Sequence, residues 1–269
     1  MNRKKKLKLD PLLEKFYSLG KERNRLNSAM LEKDRTLRIL AKEIPPPPLT
    51  VYDIGGAYGV YSYPLAQRGY KVHLIDPIPI HIEQAKKYGK NFPSIQLKSL
   101  TVGDARNIEK PDESADVILF FGPLYHLTSS SDRLKALKEA YRCLKKGGLL
   151  FATAISRFQT YLEKMHHGTI ISKFKVVEHD YLTGMHQSEN SNMCIYFHSP
   201  QAFKAELGEC GFKSINLLGV EGPVWHPELL QKLQKEPKEW EKLLDFLELI
   251  EKEESIIGAS AHFIAITKK

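Results

Sequence analysis

The sequence predicts an α/β fold, a doubly wound, mostly parallel seven-stranded sheet with helices on both faces. Three observations predict it. From Leu49 onward short apolar runs alternate with helical periods, most of those helices close on a glycine, and the connections are short. That rhythm is the one βαβ crossover units require. A chain of 269 residues, 42% hydrophobic and 27% charged, is long enough for one large domain with insertions, and excludes a disordered, fibrous or disulfide-stapled protein.

Taken in order, Asp10 before Pro11 is an N-cap followed by a proline at the first helical position, and Leu12, Leu13, Phe16, Tyr17 and Leu19 supply an apolar stripe. A second helix is predicted over 28–43, with Met30, Leu31, Leu37 and Leu40 inward. Pro45 to Pro48 lack backbone donors, so they form a stiff extended connector. Residues 1–48 are therefore an N-terminal helical extension with its proline linker, and 49–269 the main domain. Strands are predicted at 49–54 and 71–75, within 95–102, and at 116–121 and 149–155. The helix between the first two covers 57–68 and stops at Gly69. The next carries Ile78, Ile82 and Ala85 and stops at Gly89. Leu134, Leu137, Tyr141 and Leu144 line another, whose Lys145 and Lys146 complement the C-terminal dipole before Gly147. The rhythm then breaks. Residues 157–198 read as an irregular insertion rich in aromatics, Met and His. A helix over 199–211 and a strand at 212–218 follow. Residues 221–257 insert a helical segment with Trp240, Leu243, Leu244, Leu247 and Ile250 on one face, before a last strand at 262–266.

The net charge of +8 invites a nucleic-acid or membrane-surface reading. Its distribution argues otherwise. Residues 1–44 hold 13 Lys and Arg against 6 acids, and the other 225 residues hold 27 against 26. A body this close to neutral offers no phosphate-tracking surface, so no nucleic acid is expected as partner. No apolar run reaches the ~18 residues of a membrane span, and with Asp10-Pro11 soon after Leu7 and Leu9 no signal region is expected. Cys143, Cys194 and Cys210 are widely spaced and fit neither a CxxC pair nor a disulfide framework, which points to a reducing, cytoplasmic setting. Half of the ten histidines (His166, His167, His179, His186 and His198) fall in the 157–198 insertion without metal-ligand spacing, so no metal is expected. A monomer and a dimer remain equally open.

The chemistry concentrates at the ends of the predicted strands. Val51-Tyr52-Asp53-Ile54-Gly55-Gly56-Ala57-Tyr58-Gly59 is an apolar strand ending in an acid and a glycine-rich turn that opens a helix. Such a turn lets backbone approach a ligand, and helix N-terminal amides meet polar groups. Asp76 ends the second strand, where a carboxylate can accept from a ribose diol. Gly103-Asp104-Ala105 follows the third. A parallel sheet puts these ends on one edge, so Asp53, Gly55, Asp76 and Asp104 converge on one crevice.

On these residues the chain resembles the class I S-adenosylmethionine-dependent methyltransferases, in their small-molecule, methyltransferase type 11-like branch. The resemblance covers 49–156 closely and 199–219 and 258–268 more loosely. It implies a Rossmann-like sheet and S-adenosyl-L-methionine as cofactor. It also implies that Asp53, Gly55, Gly56, Ala57 and Gly59 surround the methionine part. Asp76 would hold the ribose, with Pro77 beside it, and Asp104 and Ala105 would flank adenine. Phe120-Phe121-Gly122-Pro123-Leu124-Tyr125-His126-Leu127 is similar to the fourth-strand segment that passes the methyl donor in that branch, which brings Phe121 and Gly122 into the site. Ala57 departs from the pattern, standing where the family's GxGxG has its middle glycine.

The acceptor implied is a small molecule with an O, N or C nucleophile. His126 is the candidate general base, because it follows the fourth strand at the donor end and titrates near neutrality. Tyr125 is the candidate for orienting the acceptor. Both fit equally a role in shaping the pocket. Residues 157–198 are expected as an acceptor lid or as an insertion with its own small core, with Trp225 and His226 closing the other side. The 10–44 segment is expected to cover the cofactor through Phe16, Tyr17 or Arg25. Three other functions share parts of this pattern: a nucleic-acid methyltransferase, a NAD-dependent oxidoreductase of Rossmann type, and a non-catalytic cofactor-binding regulator.

Overall fold

In a computed structural model of the chain, the structure describes residues 11–18, 29–188, 193–224 and 226–269. The N-terminal extension forms α1 (Pro11–Ser18) and α2 (Met30–Glu43). The body then alternates β1 (Thr50–Ile54), α3 (Ser62–Gln67), β2 (Lys71–Asp76), α4 (Pro79–Tyr88), β3 (Ser99–Val102), β4 (Ala115–Phe120), α5 (Pro123–His126), α6 (Ser130–Cys143) and β5 (Leu144–Ser156). Strands β1, β2, β4 and β5 pair in parallel in the order β2-β1-β4-β5, with β3 parallel at the outer edge of β2. The chain leaves β1 toward β2 on one side and returns to β4 on the other, so the crevice between β1 and β4 is the topological switch point where α/β folds bind ligands. β1 and β4 are buried over nearly their whole length, as strands covered on both faces must be.

All seven predicted strands are present, and the sheet gains two more. Within 157–198 the chain forms α7 (Gln159–His166), α8 (Phe174–Thr183) and an antiparallel hairpin of β6 (Met185–Gln187) and β7 (Cys194–His198). β7 pairs in parallel with only the last two residues of β5, Ile155 and Ser156. A polar knot holds this segment: Asp180 accepts from Thr160 Oγ1 at 2.6 Å and meets His186 Nδ1 at 2.6 Å. Burial raises the Asp180 carboxyl, but the His186 and Thr160 bonds outweigh it and hold it below its ordinary value. His198 likewise lies 3.1 Å from Glu206 in α9 (Pro200–Glu209). The remainder is β8 (Lys213–Gly219), α10 (Pro227–Leu233), α11 (Pro237–Ile250), α12 (Glu254–Ile257) and β9 (His262–Lys268). β9 runs antiparallel between β5 and β8.

Two boundaries differ from expectation for local reasons. α3 starts at Ser62 rather than 57, because Ala57 (φ +46°) and Gly59 (φ +85°) both take left-handed backbone that a helix cannot include. β5 begins at Leu144, so Lys145 and Lys146 are extended rather than helical. Lys145 Nζ reaches Asp116 at 2.7 Å, and Gly147 N donates to Lys269 O at 3.1 Å, tying this segment to β4 and to the chain end.

The sheet separates two apolar layers. Phe120, Leu137, Leu150 and Phe203 lie in one, and Ile39, Leu40, Val51 and Phe151 in the other. α2 thus belongs to the main core through Ile39 and Leu40. Leu31 joins a satellite cluster with Trp240, Leu244 and Leu247 of α11. Charge binds the same two helices. Arg35, fully buried, donates to Glu251 at 2.6 Å and to the Val220 carbonyl at 3.2 Å. Arg38 pairs with Glu241 and, at 2.6 Å, with Asp245; Lys42 pairs with Glu248 at 2.7 Å. Residues 221–257 hold ten acids against five lysines, so a share of the basic excess at the N-terminus is neutralised within the fold.

Candidate active site

One cleft runs along the carboxyl edge of the sheet, and every site residue predicted from the sequence except Gly59 lines it. Gly59 packs beneath, where an added Cβ would lie 3.1 Å from the Tyr63 ring and 3.2 Å from Leu74. Gly56 is needed for a close approach: a Cβ there would lie 2.7 Å from the Asp53 carboxyl group. The turn therefore lies directly over that acid.

Asp53 is buried and accepts from Ser62 Oγ at 2.7 Å. Burial pushes its carboxyl up to about 7, with the Ser62 bond opposing and the Asp76 charge adding. Its Oδ1 is buried without a hydrogen-bond partner among the described residues, so the cleft floor presents a carboxylate oxygen to a donor. A cofactor bearing an ammonium group fits that oxygen. Asp76 is held from three sides, by Ala57 N at 2.9 Å, Ile78 N at 2.9 Å and His81 Nδ1 at 2.9 Å. Asp104 accepts from Arg106 Nη2 at 2.7 Å and from Arg106 N at 2.8 Å, and Arg106 also reaches Asp132 at 2.7 Å. Arg106 and His81 line the cleft and escaped the sequence reading, although each stands within five residues of a predicted acid.

The roof comes from α1 and α5. Tyr17 Oη lies 2.7 Å from His126 Nε2, and the Tyr17 ring meets His81 edge-on at 5.0 Å. Phe16 packs edge-on against Tyr17 at 5.1 Å without lining the cleft. Arg25 and Trp225 lie outside the described residues. His226 caps α10, accepting from Leu229 N at 3.1 Å, and does not line the cleft. The loop after His126 is held by Arg133, which donates to the carbonyls of Leu127 at 3.0 Å and Thr128 at 2.8 Å.

Beyond His126 the cleft continues between α2 and the strand ends. Glu32, Thr36, Val60, Tyr61, Thr153 and His262 line this end, and no described residue of 157–198 does. His262 arrives here because β9 is antiparallel: its first residue lies at the edge where the parallel strands finish, opposite Ile155. Glu221 Oε1 lies 2.6 Å from His262 Nδ1, and Glu221 Oε2 accepts from His262 N at 2.9 Å and Ser260 Oγ at 3.0 Å. A carboxylate oxygen of Glu32, one of Glu221 and a His262 ring nitrogen lie within 4.8 Å of one another.

Residues 52–152, from β1 through β5, match the family described as a methyltransferase domain. Residues 52–152 thus carry an S-adenosylmethionine-dependent methyltransferase domain. S-adenosyl-L-methionine is the cofactor of this methyltransferase family, and the acids and glycine turn described above suit it. A ubiquinone biosynthesis O-methyltransferase from a Methylobacterium species is 29% identical over 110 residues, covering 40% of this chain and 42% of that protein. This chain thus spans less than half the length of that relative. The tRNA 5-carboxymethoxyuridine methyltransferase of Escherichia coli is 27% identical over 236 residues, covering 84% and 82% of the two chains. The crystal structure of a methyltransferase from Thermotoga maritima, described as a possible histamine N-methyltransferase, shares the fold. Its TM-score is 0.59 at 21% identity, covering 96% of this chain and 99% of that one. Among the described residues no helix of this chain is long and apolar enough to cross a membrane.

Proposed function

We propose that this methyltransferase passes the methyl group of S-adenosylmethionine to an O, N or C nucleophile of a small molecule seated at the His262 end of the cleft. The observation that carries this is the continuity of one cleft from the three strand-end acids, past Tyr125 and His126, to Thr153 and His262. In this reading Asp53 and the Gly55-Gly56-Ala57 turn hold the methionine part, Asp76 and Pro77 the ribose, and Asp104 and Ala105 the adenine. Phe121 and Gly122 back the transferring centre. The cofactor supplies an already activated methyl group, so the protein's contribution is to align the acceptor and exclude water. Tyr17 covers the centre, and Tyr125 and His126 wall it.

Calorimetric titration tests the cofactor half. S-adenosylhomocysteine is expected to bind and NAD not to, and Asp76→Ala is expected to weaken S-adenosylhomocysteine by a factor of about ten or more, the loss of a charge-assisted bond pair. NAD binding alone would overturn the reading, and an affinity within about twofold for Asp76→Ala would overturn the ribose role.

A second acceptor class, RNA, is favoured by the tRNA-methyltransferase relative that aligns over 84% of this chain. Against it stand the neutral body and the pairing of Arg35, Arg38 and Lys42 with acids of 221–257. Incubating the full chain with methyl-labelled cofactor and fractionated cell extract separates them. Label is expected in the deproteinised small-molecule fraction, and label in the RNA fraction alone would assign the second class.

A further inference from the structure

His81 is a buried histidine of the cleft to which the reading so far gives no task. It stands in the first turn of α4, five positions after Asp76. Ile82 and Ala85 of the same helix are buried, so the anchored helix carries the ring back onto the strand-end acid. His81 is itself 3% exposed and lines the cleft with Asp76, Pro77 and Ile78. Its Nδ1 lies 2.9 Å from Asp76 Oδ1. An ionised carboxylate can only accept, which sets the neutral ring's proton on Nδ1 and its lone pair on Nε2. Among the described residues nothing donates to Nε2, which is buried. A buried acceptor left so costs free energy until a donor arrives.

The acid points to the donor. A carboxylate offers about four lone-pair positions. At Asp76, Oδ1 meets Ile78 N and His81 Nδ1, and Oδ2 meets Ala57 N, each at 2.9 Å, so one position is left. A vicinal diol brings two hydroxyls. Asp53 Oδ1 is taken by the ammonium group in the reading above, and Asp104 is engaged by Arg106. Resting on the reading that Asp76 holds the ribose, we propose that His81 is a second ribose acceptor: one hydroxyl of the cofactor donates to Asp76 Oδ2 and the other to His81 Nε2. Acid and imidazole thereby divide a diol that the sequence assigns to the acid alone. The Tyr17 ring, edge-on to His81 at 5.0 Å, covers the pair. A ligand without that hydroxyl leaves Nε2 unmet in a buried place, so His81 makes the cleft selective for a ribonucleoside over its deoxy form.

The test uses the full chain with S-adenosylhomocysteine and its two monodeoxy forms, each lacking one ribose hydroxyl. Dissociation constants are measured by calorimetry for the parent, His81→Leu and His81→Asn. Asparagine can keep a bond to Asp76 but has no counterpart of Nε2. In the parent, removal of either hydroxyl is expected to weaken binding by about tenfold, as the loss of a buried hydrogen bond allows. Both variants are expected to bind the intact compound about tenfold more weakly. They are expected to lose no more than about twofold further when one particular hydroxyl is missing, while the loss for the other persists. A residue that only props Asp76 would instead weaken all three compounds by one factor in His81→Leu and leave His81→Asn like the parent, and that pattern overturns the proposal. Should a variant fail to unfold cooperatively, nitrogen NMR of the histidine-labelled parent decides. The Nε2 resonance is expected to move to lower frequency when S-adenosylhomocysteine binds, as an accepting ring nitrogen does, and to stay near its unbound position with one of the two deoxy forms. No movement, equal movement with all three compounds, or a proton on Nε2 in the complex overturns it. A parent that binds no S-adenosylhomocysteine, or binds all three compounds alike, overturns the ribose reading and this inference with it.

Discussion

Tyr17 Oη lies 2.7 Å from His126 Nε2, joining α1 to the segment that follows β4 across 109 positions of sequence. The extension thereby roofs the cleft that the body builds. Tyr17→Phe removes the bond and keeps the ring against His81. It is expected to weaken S-adenosylhomocysteine by up to about tenfold, as the loss of one hydrogen bond allows. Tyr17→Ala removes the ring as well and is expected to weaken it further. Calorimetric dissociation constants check the order.

With Asp53 against the cofactor's ammonium group, as proposed, cofactor binding is expected to depend on pH. Burial, with the Asp76 charge adding and Ser62 opposing, pushes its carboxyl up to about 7, whereas an ammonium group beside it would favour the carboxylate. Below about pH 7 binding must therefore release a proton, so affinity is expected to rise with pH until it levels off above that point. Titration in two buffers of different ionisation enthalpy counts the proton.

The same residue shapes stability. A carboxyl raised in the folded state stabilises fully below the unfolded value of 3.8 and loses that contribution as pH rises toward about 7. Asp53→Asn lacks the slope. Relative to the parent it is expected to gain stability between about pH 5 and about pH 8, by on the order of 2 kcal/mol, while its cofactor affinity falls. Urea denaturation at both pH values checks the sign.

Ala57 holds φ +46° in the glycine-rich turn. Ala57→Gly relieves left-handed strain and restores the family's middle glycine, and is expected to stabilise the fold by about 1 kcal/mol without weakening the cofactor. Thermal unfolding and calorimetry together test both halves.

Arg35 and Glu251 form a buried pair at 2.6 Å. Arg35→Met leaves a buried carboxylate facing an apolar side chain and is expected to cost about 3–5 kcal/mol. The double variant with Glu251→Met is expected to recover much of that loss. A double-mutant cycle by urea denaturation measures the coupling.

Local signals made the cofactor end of the cleft legible. Asp53, Asp76 and Asp104 each close a short apolar run, and parallel pairing alone brings those ends to one edge. The other end was illegible because its residues meet through pairings distant in sequence. His262 reaches the cleft only because β9 runs antiparallel, and Glu221 only because β8 delivers the following residues to the same edge. No spacing motif announces a histidine and a glutamate 41 positions apart. The charge excess of 1–44 was legible, but not its pairing with acids some 200 positions onward. The β6–β7 hairpin was hidden by its brevity, with strands of three and five residues that carry too little alternation to stand out.

The docking of α2 on α11 sets an order of assembly. Ribosomal synthesis completes α2 early, yet Arg35 finds its acceptors at Val220, Leu244 and Glu251, near the other end of the chain. The strands that carry the three acids can form while synthesis is still under way. Glu32 and Thr36 can meet His262 only once residue 262 has left the ribosome, so a nascent chain can bring the three strand-end acids to one edge before it can close the far end of the cleft.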